Sequence, residues 1–234
     1  MEEYFKLFND YVKKFDCKDE MIIRKYHHTY RVMNFCEQIA LSIHEDTKVA
    51  KLCGLFHDIG RFEQCKKYHS FSDIHTVDHG DLGFSILQEH FSQIENYDLV
   101  LFTTKNHNKL FIEETNDSKK ILFAKIVRDA DKLDIMNRQG LAIDDKNPII
   151  KEELMMDLFL EQPICNQLIT NDVDNLFRIL GFIYDINFKF SYQYILDNCI
   201  IEKKIDLLES HIKDIRLEKL KEHLLDYCKN KINE

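Results

Sequence analysis

Chain breakers are scarce in this sequence. Glycine occurs six times and proline twice in 234 residues, about 3% together where globular proteins average roughly 12%. Sheet corners and tight hairpins draw heavily on both residues, so a β-sandwich or barrel is excluded. The same scarcity leaves no GxGxxG or GxxxxGK[ST] loop to cradle nucleotide phosphates. What remains is long stretches with apolar residues three and four positions apart, the period of amphipathic helices. The expected fold class is all-α, with no sheet of consequence.

Periodicity predicts helices at about 2–15, 19–44, 46–57, 79–92, 94–106, 118–136, 149–161, 171–189, 190–206 and 208–231. The stretch 60–78 has no sustained period and reads as a loop with one helical turn. The turn-rich run from Gly140 to Pro148 breaks the pattern. Most histidines fall before residue 110 and most glycines between 54 and 140. Residues 1–140 therefore read as a chemical core and 141–234 as a helical extension packed on it, in one globular unit. The aromatic run at 177–194 reads mainly as core, with nucleobase stacking or a homodimer contact as lesser readings.

A net charge of −9 does not suit a protein that neutralises many phosphates of a nucleic-acid duplex. It leaves room for a local basic pocket that takes one small phosphorylated molecule. The seven cysteines form no CxxC and are odd in number, the pattern of reduced thiols in a cytoplasmic protein. Met1 to Asp10 carries acids and no long apolar run, unlike a signal peptide. No 18-residue apolar stretch occurs, so no membrane span is expected.

The residues that carry chemistry are spread over several helices: His27-His28, His57-Asp58, His79, His107 and Asp131. Imidazole and carboxylate are ligands of divalent transition metals. Spacing separates the first pair. From His28, one helical face runs through Val32, Phe35 and Ile39; from His27 it runs through Arg31, Asn34 and Gln38. His28 is expected to face the core and His27 the solvent. Periodicity does not decide between Asp129 and Asp131, both of which share faces with apolar residues.

The runs HTYRV from His28, GLFHDIGR from Gly54, DHGDLG from Asp78 and RDADKLD from Arg128 resemble the HD superfamily of metal-dependent phosphohydrolases, over about residues 20–136. The resemblance implies an HD-domain-like helical bundle with one divalent metal held by His28, His57, Asp58 and Asp131. In HD proteins with two metals, further histidines between the HD pair and the last aspartate hold the second ion. His79 and His107 stand in that interval, while His69 and His75 lie in a polar loop without apolar framing. One or two ions are implied, of Mn, Mg, Zn, Fe, Co or Ni.

The implied activity is hydrolysis of a small phosphorylated compound, plausibly a nucleotide, by attack of a metal-bound hydroxide. Asp58, His79, His107 and Lys132 would carry the chemistry, and Lys25, Arg61 and Lys132 would meet substrate phosphate. For Lys25 and Arg61 the competing reading is a solvated surface charge. Some HD nucleotidases carry an acid three residues after the HD aspartate. Arg61 stands there in this chain, which leaves the general acid unassigned. The alternatives are an HD-fold di-iron oxygenase and a metal-stabilised regulatory module without turnover.

Overall fold

The computed structural model describes residues 1–234 and is helical throughout, with no strand. It divides into two compact units, Met1–Asp131 and Lys132–Glu234. The first contains α1 (Glu2–Val12), α2 (Glu20–Ser42), α3 (Thr47–Phe56), α4 (Ile59–Tyr68), α5 (His79–His90), α6 (Tyr97–Asn106) and most of α7 (Ser118–Met136). No helix is long and apolar enough to cross a membrane. All seven cysteines are free thiols.

Helix starts follow local chemistry. Asp19, Asp46 and Asp78 precede α2, α3 and α5, and each side chain accepts a first-turn backbone N–H, satisfying donors that no helical carbonyl can reach. The first unit closes around Phe8, Phe56 and Phe62, all fully buried. Phe8 meets the other two rings edge-on at centroid distances of 6.2 and 5.8 Å, the arrangement that ring quadrupoles favour.

The loop expected at 60–78 holds only for its second half: α4 occupies the first. The helix was hidden because its inner face carries few apolar residues. Ile59, Phe62 and Cys65 are buried, but so is Gln64. The Gln64 amide donates to Asp73 Oδ1 and to the Val77 carbonyl, each at 2.9 Å, and its oxygen accepts from Arg61 at 2.7 Å. A buried polar residue with its bonds satisfied stands where a period-based reading looks for an apolar one.

The second unit contains the end of α7, then α8 (Glu152–Phe159), α9 (Asp172–Gly181), α10 (Lys189–Asp197), α11 (Ile200–His211) and α12 (Arg216–Asn233). The single helix expected at 171–189 stops at Gly181, continues as a 3₁₀ turn over Phe182–Asp185, and resumes as α10. Of the aromatic run, Phe177 and Tyr192 are buried and the other rings half-buried. The Tyr192 hydroxyl donates to the Ile186 carbonyl at 2.9 Å, fixing the bend between the two helices.

Gly60 and Gly83 let α4 and α5 touch. A Cβ on Gly60 would strike the His79 carbonyl oxygen and lie 2.7 Å from the Gly83 nitrogen. Both obstacles are backbone, so the helices themselves would have to part. Gly60→Ala is expected to lower stability by about 1–3 kcal/mol, read as a lower urea midpoint with unchanged slope.

Candidate metal centre

Six predicted side chains meet at one place in the first unit. His28 comes from the middle of α2. His57 caps the C-terminus of α3 and Asp58 the N-terminus of α4, so the adjacent pair sits where the backbone turns between helices. His79 opens α5, His107 closes α6, and Asp131 lies on α7. His28, His57, Asp58, His79 and His107 are all buried, while His27 is exposed, as the stripe argument requires.

Asp58 is the hub. Its Oδ2 lies 3.4 Å from His28 Nε2 and 3.6 Å from His57 Nε2. Its Oδ1 lies 3.3 Å from His79 Nε2 and 3.5 Å from His107 Nε2. Asp131 Oδ1 completes the first side, 3.1 Å from His28 and 4.0 Å from His57. One carboxylate thus faces a histidine pair with each oxygen. Two groups close enough to hold a cation result: His28, His57 and Asp131, and His57, Asp58 and His107. Asp129 is buried but belongs to neither. His69 and His75 are exposed and stand outside the cluster.

The imidazole tautomers follow from their outer nitrogens. His57 Nδ1 donates to the Gly54 carbonyl at 2.7 Å, and His107 Nδ1 to the Thr104 carbonyl at 2.7 Å. His79 Nδ1 donates to Asp73 Oδ2 at 2.6 Å. Each ring therefore turns a bare Nε2 lone pair inward when neutral. His57 Nε2 is buried with no hydrogen-bond partner. His79 Nε2 and His107 Nε2 point at one another across 2.9 Å. Two lone pairs at that distance repel unless a cation stands between or beside them. The donor set of imidazole and carboxylate, with its outer nitrogens anchored, suits a divalent metal.

The cations predicted to meet substrate are not solvated. Lys25 Nζ lies 2.6 Å from Asp58 Oδ2. Arg61 is 3.6 Å from Asp58 Oδ1 and pairs with Asp73 at 2.9 Å, while also donating to the Phe71 carbonyl. Arg24, Lys25 and Arg61 all stand within 6 Å of the Phe71 ring centre. Lys132 is buried and pairs with Asp185 at 2.7 Å within the second unit. Sequence reasoning missed Asp73, Gln64 and Asn108, whose amide donates to Asp78 at 3.0 Å. Asp73 and Asn108 lie in loops and Gln64 inside α4, and no periodic or motif signal marks any of these polar residues.

Burial pushes Asp58 towards the neutral form, but Lys25 and the surrounding histidines outweigh it and hold the carboxyl well below the usual range. Asp131 is held low against burial by His28 and His57. Burial keeps His57 neutral, with its pKa pushed down to about 3, and lowers His107 as well. In the unfolded chain these histidines would take up protons near pH 6.5. Between that value and their lower folded ones, the unfolded state binds more protons and stability falls as pH falls. Without metal, His57 alone is expected to lower the unfolding free energy by about 1.4 kcal/mol per unit from pH 6.5 towards 4.5, and His107 acts in the same direction. A His57→Gln variant, followed by urea denaturation across that range, should lose one histidine's share of the slope.

Residues 26–136 match the HD domain family. No curated protein and no solved structure matches the chain. The matched segment runs from α2 to the end of α7 and includes His28, His57, Asp58, His79, His107 and Asp131. With its ordered His, His-Asp and Asp on separate helices around one buried carboxylate, the segment 26–136 is a domain of the HD superfamily.

Proposed function

We propose that this protein is a metal-dependent phosphohydrolase acting on a small phosphorylated compound, with a nucleotide as the leading candidate. The observation that carries the reading is the pair of bare Nε2 atoms of His79 and His107, 2.9 Å apart beside Asp58 Oδ1. His28, His57, Asp58 and Asp131 would hold one divalent ion. His79 and His107 would hold a second, with Asp58 shared between them. Such ions, when bound, supply Lewis acidity and a nucleophile at neutral pH.

The chain's own groups do the rest. The Gly54 and Thr104 carbonyls and Asp73 keep three imidazoles turned inward. Lys25 and Arg61, gathered with Arg24 around Phe71, supply the positive charge that phosphoryl oxygens require. The Phe71 ring beside them offers a face for a planar group. Lys132, next to Asp131 in the chain, is proposed as a further phosphate contact.

The two-sided ligand set also suits a di-iron oxygenase, and metal analysis separates the readings. Iron with oxygen uptake would favour the oxygenase; release of phosphate from phosphomonoesters or diesters favours the hydrolase. Asp58→Ala should abolish metal binding and turnover together, and His27→Ala should leave both within about twofold. Metal content near two per chain that falls to one in a His79→Ala, His107→Ala double variant supports the pair. Unchanged content and turnover there would remove both residues from the site. Asp73→Asn should cost about 10–100-fold in metal affinity or activity, as loss of a partner behind a ligand does.

A further inference from the structure

The second unit has a cleft of about 310 Å³ between the end of α7 and the start of α11. Its charged lining residues are Arg138, Lys203 and Lys204, and no aspartate or glutamate lines it. Leu141 and Leu207 add apolar, half-buried surface to the lining, over a fully buried Met136. In a chain of net charge −9, three cations around one cleft without a carboxylate run against the overall balance.

These cations have no anionic partner. Lys203 Nζ donates to the Asn198 carbonyl at 2.8 Å and Lys204 Nζ to the Arg138 carbonyl at 3.2 Å. Neither these two lysines nor Arg138 forms a salt bridge, whereas Lys151 and Arg216 in the same unit are both paired. Lys204 is only 7% exposed. An ammonium taken out of water needs a counter-charge, and one carbonyl satisfies only one of its three donors. Burial and the charge of Lys203 both work against its protonation. Both lysines also lie near the start of α11, where the helix dipole disfavours cations. Each of these costs is relieved by an anion in the cleft.

We infer that this cleft binds a phosphorylated small molecule, its phosphoryl group held by Arg138, Lys203 and Lys204 and its body laid against Leu141 and Leu207. The volume lies at the lower end of ligand-sized cavities, enough for a compact ligand such as a nucleotide. The site is distinct from the metal centre and does not depend on the hydrolase reading.

The test is calorimetric titration of the full chain, with metal removed by a chelator, using pyrophosphate and ADP as probes. One ADP per chain is expected, bound several-fold more tightly than pyrophosphate because of the apolar surface. An Arg138→Gln, Lys203→Gln double variant changes only exposed side chains and should weaken binding by about tenfold or more. Lys204→Met, which fills the same space without charge, should do the same and keep its thermal transition. Lys229→Gln, an exposed lysine of the same unit paired with Asp226, should bind as the parent does. Absence of binding by the parent chain, or equal affinity in the double variant, would overturn the assignment. So would an equal loss in Lys229→Gln, which would make the attraction a general effect of surface charge. ADP no tighter than pyrophosphate would remove the apolar surface from the site.

Discussion

The meeting of helices α2, α3, α4, α5, α6 and α7 is organised by the charge on Asp58. A carboxylate with almost no exposure is stable only where positive charge or donors surround it. Here Lys25 supplies the charge at one oxygen and four imidazoles crowd both oxygens. His79 could not reach it unless α4 and α5 approached within backbone contact, which Gly60 and Gly83 permit. Local packing and the electrostatics of the site are therefore one problem. A change that separates α4 from α5 also withdraws His79 from Asp58.

Much of this was legible in the residues. The stripe Val32, Phe35 and Ile39 placed His28 inward, and it is buried while His27 is exposed. The ordered runs around His57-Asp58 and His79 fell on separate helices, which the structure brings together at Gly60 and Gly83. Asp131 over Asp129 was not decided by period, because both are flanked by apolar neighbours. What lay out of reach was polar and non-periodic. Gln64 disguised a helix, and Asp73 lies in the segment between α4 and α5. Such residues are recruited by tertiary contact, and pattern arguments respond to burial of apolar surface alone.

The C-terminal unit was the less readable half for a related reason. Its helices pack through a continuous apolar core of Leu158, Phe177, Leu180, Leu220 and Leu224, which marks a helix without marking its ends. The break at Gly181 is set by a 3₁₀ turn and the Tyr192 hydroxyl rather than by a proline or a cluster of turn residues. The buried Asp174 holds the start of α9 through Lys151 and Thr170, at 2.6 and 2.8 Å. The Lys151 pairing joins residues distant in sequence, and no local pattern announces it.

The anchors behind the three inward-facing imidazoles differ in kind. Those of His57 and His107 are main-chain carbonyls, three residues upstream of each ring. No substitution can delete a carbonyl, so these two rings keep their tautomer through almost any sequence drift that preserves the helix. The anchor of His79 is the Asp73 side chain, which a single codon change can neutralise, shorten or remove. A carboxylate makes the ring a stronger electron donor than an amide or a hydroxyl would. The basicity of the centre is thus adjustable at one position while its geometry stays fixed. Residue 73 is where descendants of this chain could retune the His79 ring without rebuilding the fold.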